Sequence, residues 1–313
     1  MAQPGQCLMA QYDVAVYLGT LPKIKNHDRK IRILNDFAEG ARRCGARVIV
    51  TKDKEVQDAR LAVMIGWHGL KISGPHIQFR KLLIDHQLNL GRHIMPIDGN
   101  CFKFADPNDH WLRYSLNSVF WNTGNYGNQN PTKQRWRMMS KDLHIECKDY
   151  TNDGKYILLC LQRDHGWQGK GFDQQVWVHQ TIQTLQKHTD RPIVLRCHPG
   201  SISDTHDFLK YPRVSVNDCR LTTIAQDVQH AWAGVFYNSS SSVACAIGGK
   251  PVFASEPSAV TWNIANKDLR TIENPERPDR TQWLWSVADA HWSHKQSREG
   301  DIYRHFEPFL SPA

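Results

Sequence analysis

Residues 232–256 read WAGVFYNSSSSVACAIGGKPVFASE, and the fold turns on how this stretch is parsed. Val235-Phe236-Tyr237 is an apolar run with the length of a buried strand. Asn238 and Ser239, Ser240, Ser241 and Ser242 favour a turn and a helix start. Val243 to Ile247 then makes one or two turns of small-residue helix, which Gly248-Gly249 ends. Pro251-Val252-Phe253 opens the next strand. Strand, serine-rich turn, helix and strand is the unit of a parallel α/β sheet. Its turn directs hydroxyls and backbone N–H groups over the strand's carboxyl end, where an anion such as phosphate is held.

Upstream, the same alternation repeats. Tyr156–Leu161 is a strand leading into Gln162-Arg163 and a glycine-rich loop, Gly166–Gly171, that carries Lys170. Asp173–His188 has the apolar spacing of a helix, and Pro192–Cys197 is a strand leading into His198-Pro199-Gly200. Pro199 cannot continue a ladder, so His198 is expected to leave the sheet and face a cleft. Arg163, Lys170, Arg196, His198 and the serines thus converge on one edge and suit a phosphate.

The first half is a second α/β set. Strands are expected over 12–18, 47–51, 61–65 and 93–97, with helices over 29–44 and 75–90. Their carboxyl ends present Gly19-Thr20, Trp67-His68 and Asp98-Gly99-Asn100. Residues 106–150, punctuated by Gly and Asn, read as irregular, and 281–306 as two amphipathic helices. The expected architecture is α/β, with two Rossmann-like domains facing across a cleft. The expected boundary falls near residue 150, and the C-terminal helices cross back to the first domain.

The chain of 313 residues has a net charge of +8, and all of the excess lies in residues 1–150, with 22 Lys+Arg against 14 Asp+Glu. A basic half suggests a polyanionic partner. Lys23, Lys25, Arg29, Arg42, Lys133, Arg135 and Arg137 are candidates for a DNA backbone, with Trp67 and Trp121 as aromatics that could fill the gap left by a flipped base. The eight cysteines are scattered without CxxC, and the first residues lack the basic start and apolar core of a signal peptide, which together suggest a cytoplasmic protein. No Asp-x-Asp occurs, so no metal is expected.

His198-Pro199, Ser239–Ser242 and Gly249-Lys250-Pro251, spread over residues 155–256, resemble the donor half of GT-B glycosyltransferases of the capsule and sialyltransferase-like kind. In those enzymes the His-Pro and Ser-Ser elements hold the phosphate of a nucleotide sugar. The resemblance implies a UDP- or CMP-linked sugar as co-substrate and no other cofactor. The acidic residue that such enzymes place early in the last helix is replaced by small residues around Ala244, and Glu256 is a substitute for holding the ribose. YILLCLQRDHGW (156–167), TDRPIVLRCHPG (189–200) and PDRTQWL (278–284) also resemble phage enzymes that add glucose or arabinose to 5-hydroxymethylcytosine in double-stranded DNA. Phage origin would place the protein in the infected cell's cytoplasm. Sugar transfer to such DNA is therefore expected, with Asp98 as the first choice of general base and His68 as the second. A surface polysaccharide as acceptor, a sugar-nucleotide 2-epimerase and a non-catalytic DNA-binding protein stand as alternatives.

Overall fold

The structure is a computed structural model, and it describes residues 10–21, 27–68, 74–103, 110–128, 130–163, 172–200 and 204–310. Lys23, Lys25, Lys170 and the loop 166–171 lie outside these.

Five strands come from the first part of the chain: β1 (Tyr12–Tyr17), β2 (Val48–Thr51), β3 (Ala59–Ile65), β4 (His93–Asp98) and β5 (Trp111–Tyr114). Five more form a second, all-parallel sheet: β6 (Tyr156–Cys160), β7 (Ile193–Arg196), β8 (Val214–Asn217), β9 (Ala231–Phe236) and β10 (Val252–Ala254), in the order β10-β9-β6-β7-β8. A last strand, β11 (His291–Ser293), returns to the first sheet, whose order is β11-β5-β4-β3-β1-β2. There β1 to β4 run parallel, while β5 and β11 add an antiparallel edge. β6 and β9 are almost wholly buried (YILLC, AWAGVF), the run expected of strands covered on both faces.

The helices of the first part are α1 (His27–Arg43), α2 (Pro75–Asn89) and α3 (Lys133–Leu143). Those after residue 150 are α4 (Gln174–His188), α5 (Ile224–Gln229), α6 (Ser241–Ile247), α7 (Thr281–Asp289), α8 (His294–Glu299) and α9 (Asp301–Phe306). α1 turns Ile33, Leu34, Phe37, Ala38 and Ala41 inward, a helical stripe. Gly40 sits where α8 crosses it: a Cβ there would lie 1.9 Å from the Ser297 carbonyl oxygen. Arg298 of α8 donates twice to Asp36 of α1, at 2.9 and 2.7 Å. Ile302, Tyr303, Phe306 and Leu310 complete the core under α1. The end of the chain is therefore built into the first sheet's body.

Two expectations are corrected. Residues 281–306 are not two helices, because the chain leaves α7 for β11 before α8 and α9 form. The stretch 106–150 is more regular than its Gly and Asn content suggests, since β5 and α3 lie within it. α3 and α7 carry Met139, Leu143, Trp283 and Leu284 into one cluster with Leu158, Phe236 and Val243, so a single apolar core runs from one body into the other. No described helix is long and apolar enough to cross a membrane.

Candidate active site

In a parallel sheet, ligands bind beyond the carboxyl ends of the strands. Along that edge of the second sheet, the order β10-β9-β6-β7 sets out Glu256, then Asn238 to Ser241, then Gln162-Arg163, then His198.

His198 is half-buried, and the Gly200 N–H donates to its Nδ1 at 2.9 Å. Nδ1 is thus the acceptor, and the neutral ring carries its proton on Nε2, as a donor. Burial, followed by the positive charge of Arg163, holds the imidazole below the usual histidine range. A methyl group on Gly200 would lie 3.3 Å from His198 Nδ1 and 3.9 Å from Arg163 Nε, so these groups form one patch. On the neighbouring strand end, the hydroxyls of Ser239 and Ser241 are 2.7 Å apart, and Ser239 to Ser241 are half-exposed at the start of α6. Gln162, given no role in the sequence reading, is buried at 2.8 Å from the Asn238 side-chain oxygen. Its carboxamide oxygen, turned toward the turn, accepts from the N–H groups of Asn238 and Ser239 at 2.9 and 3.1 Å. Its position directly after an apolar strand was the available signal.

An aromatic group flanks this edge. Phe172 and Tyr237 have ring centroids 4.0 Å apart, Trp177 meets Tyr237 edge-on at 5.7 Å, and the Trp177 Nε1–H donates to Ser255 Oγ at 3.1 Å. Glu256, half-exposed, lies 3.5 Å from the Tyr237 hydroxyl. Burial and then Glu256 raise the Tyr237 phenol above its usual range. Rings beside a carboxylate suit a base and a ribose.

Several expected contacts are structural instead. Arg196 is 6% exposed and ion-paired with buried Asp227, and it donates to the Thr222 carbonyl and hydroxyl at 2.8 and 3.0 Å, so it does not face the edge. Ser242 is fully buried, its hydroxyl turned into the core. Lys250 is buried on Thr151 and Asp153, where it fastens the α6–β10 turn to the irregular segment that precedes β6. Gly249 has φ +77°, and a Cβ there would meet the Asp149 oxygen at 2.2 Å. Trp67, 8% exposed, is part of the first core, and Trp121 packs on Tyr126 with its backbone N–H donating to the Ser258 carbonyl. Arg135 lies 3.7 Å over the Trp292 ring, with Asp289 beside it and the His291 carbonyl as acceptor. Trp67 is thus buried, while Trp121 and Arg135, each half-exposed, are engaged within the fold. Lys133 and Arg137 on α3 and Arg42 at the end of α1 are exposed, while Arg29 is half-buried.

The first sheet contributes the opposing edge. His68 follows β3 and stacks on Trp67 with centroids 5.7 Å apart. Arg80, reaching over from α2, donates to the Thr20 and Trp67 carbonyls at 3.0 and 3.1 Å. Asp98 ends β4 with both oxygens engaged: one accepts from the Gly99 N–H at 2.7 Å, the other from buried Arg113. Both oxygens of Asp98 are thus committed to contacts within the fold.

With these edges in place, the architecture can be compared with solved proteins. The chain is similar to the β-Kdo 2,4 transferase of Thermosulfurimonas dismutans KpsC, with a TM-score of 0.55 and 12% identity over 88% of this chain and 89% of that one. The fold is of the GT-B type. The β-Kdo 2,7 transferase of the same KpsC matches with a TM-score of 0.52, again at 12% identity, over 93% of this chain and 99% of that one. No family model matches the sequence, and no curated protein does.

Proposed function

We propose that the protein is a glycosyltransferase that moves a sugar from a nucleotide donor to a hydroxyl of a surface glycan. One observation carries the donor half: the Gly200 N–H fixes His198 as an Nε2–H donor beside Arg163, with the Ser240 and Ser241 hydroxyls on the next strand end. Breaking the bond between the sugar's anomeric carbon and the donor oxygen leaves charge on a phosphate. Fixed donors in that position lower the barrier. Phe172, Tyr237 and Glu256 lie where base and ribose would extend from that phosphate. His68 takes the proton of the acceptor hydroxyl as its oxygen bonds the sugar. Asp98, held by Arg113, anchors the loop instead.

The glycan acceptor is favoured by the similarity to two Kdo transferases, by the burial of Trp67 and by the internal pairing of Arg135. Hydroxymethylated DNA is left with the +8 charge of residues 1–150 as its support.

Titration calorimetry with CMP and UDP tests the donor half. His198→Ala is expected to raise the dissociation constant of the preferred nucleotide by about 10- to 100-fold, the worth of a hydrogen bond to a charged group. Unchanged affinity would remove His198 from the site. His68→Asn is expected to bind that nucleotide normally yet lose about 10²–10⁴-fold in turnover, measured as release of nucleotide from its sugar in the presence of acceptor. Turnover without any acceptor would point to an epimerase, and transfer to hydroxymethylated duplex that collapses with salt would restore the DNA reading.

A further inference from the structure

Tyr114 ends β5, and the chain then closes a compact loop, residues 115–127, before α3. Leu116 and Asn125 exchange backbone hydrogen bonds at 2.7 and 3.0 Å. The Ser118 hydroxyl accepts from the Phe120 N–H at 3.1 Å and from the Thr123 hydroxyl at 2.8 Å, and the Tyr126 hydroxyl donates to the Val119 carbonyl at 3.1 Å. Gly124 turns so tightly that a Cβ there would lie 2.6 Å from the Ser118 carbonyl oxygen. A loop packed and bonded on itself in this way moves as one piece. On one side, its Val119 and Phe120 join the cluster that contains Trp67, on which His68 stacks.

On the other side the loop meets the second body. The Trp121 backbone N–H donates to the Ser258 carbonyl at 3.3 Å, and Trp121 packs against the core of Phe236 and Val243. Ser258 is the link. Its hydroxyl accepts from the Asn238 side-chain N–H at 2.9 Å. Asn238 begins the serine turn, where the Gln162 oxygen accepts from the N–H groups of Asn238 and Ser239. The flanks of the link are held as well: Trp177 donates to the Ser255 hydroxyl at 3.1 Å, and the Trp283 ring N–H to the Val260 carbonyl at 2.9 Å. A line of hydrogen bonds thus runs from the donor turn, through Asn238 and Ser258, to the loop that packs with Trp67.

His68 and the phosphate donors stand on different sheets, so their separation is set by whatever joins the two edges. That separation matters, because a misplacement of about 1 Å costs about 10²-fold in rate. The Asn238 amide N–H is spent on Ser258, while its chain neighbours Ser240 and Ser241 stand at the phosphate site. We infer that Asn238 and Ser258 are positioning residues: they join the donor turn to the 115–127 loop and, through Trp67, fix His68 against the donor sugar. The inference rests on the glycosyl-transfer reading. Sites joined in this way are coupled in both directions, so a nucleotide that orders the turn also orders the loop.

The test follows amide hydrogen exchange by mass spectrometry in the full chain, with and without saturating CMP or UDP, whichever calorimetry shows to bind. In the wild type, peptides covering 115–127 are expected to exchange at least about fivefold more slowly with nucleotide bound, the lower end of coupling between linked sites. Ser258→Ala keeps the backbone carbonyl and removes only the hydroxyl, so it should bind the nucleotide with near wild-type affinity yet lose the slowing. Ser258→Thr restores the hydroxyl and should restore the response. Asn238→Ala cuts the same bond from the other side and should silence the loop too, whatever it does to affinity. The positioning role is overturned if nucleotide leaves the wild-type loop unchanged, if Ser258→Ala responds like the wild type, or if Ser258→Thr stays as silent as the alanine variant. A protein that binds neither nucleotide loses the transferase reading and this one with it, whereas binding with a silent loop removes the positioning alone.

Discussion

Replacing Asp227 by alanine destabilises the protein by about 3–5 kcal/mol, the cost of stranding a buried charge. Asp227 is 3% exposed and Arg196 6%. One carboxylate oxygen meets the guanidinium, and the other accepts from the Asn217 side chain. The remaining guanidinium donors are committed to Thr222 and the Cys219 carbonyl. With the carboxylate gone, Arg196 has neither water nor counter-charge. Desolvating a charge outweighs the loss of one contact, which explains why the effect exceeds that of an ordinary hydrogen bond. The pair ties β7 and β8 to α5, a helix of only six residues that needs such an anchor. Urea unfolding measures the loss. The companion experiment replaces both partners, Arg196→Met with Asp227→Leu. Two apolar side chains should restore most of the stability and leave nucleotide binding intact. If the double variant folds but binds no nucleotide, Arg196 belongs to the donor site after all.

That case shows where the sequence was legible. Strand ends were readable because a parallel strand is a short apolar run followed by a turn, and His198, Arg163 and Ser240 stand just beyond such runs. Arg196 is the last residue of its strand, where period 2 leaves both faces possible; only Asp227, 31 residues on, decides which face it takes. The antiparallel edge was invisible for a related reason. Trp111–Tyr114 and His291–Ser293 are four and three residues long, too short for any period, and they become strands because they pair with each other. Arg135 and Trp121 looked like a basic, aromatic surface because composition does not report burial. Arg135 spends its charge on Asp289 and on the face of Trp292.

Acid should open the same region, and His291 should be the largest single contributor. The ring is fully buried; Nδ1–H donates to the Val287 carbonyl at 2.7 Å, and Nε2 accepts from the Cys101 N–H at 3.1 Å. Both nitrogens are satisfied only in the neutral tautomer. Burial, reinforced by the charges of Arg113 and Arg135, pushes the group down to about 3, against 6.5 in an unfolded chain. Between those values the unfolded chain binds the proton and the folded chain does not, so stability falls as pH falls. The contribution is complete above pH 6.5; below it the loss grows by about 1.4 kcal/mol per unit and reaches about 2 kcal/mol at pH 5. His198, His294 and His305 are lowered as well and steepen the wild-type slope. A variant isolates the term: His291→Gln keeps an acceptor and a donor but cannot titrate in this range. It should be less stable than wild type at pH 7.5, with a shallower slope between pH 6.5 and 5, by about one proton. Equal slopes in urea unfolding would mean that the ring is not held neutral as its two hydrogen bonds require. The consequence extends beyond stability, because the Cys101 N–H that His291 receives belongs to the loop that follows Asp98. Protonating the ring removes that acceptor and releases the loop from β11. Activity should therefore fall in acid earlier than global unfolding, as the first sheet's edge loosens before the rest.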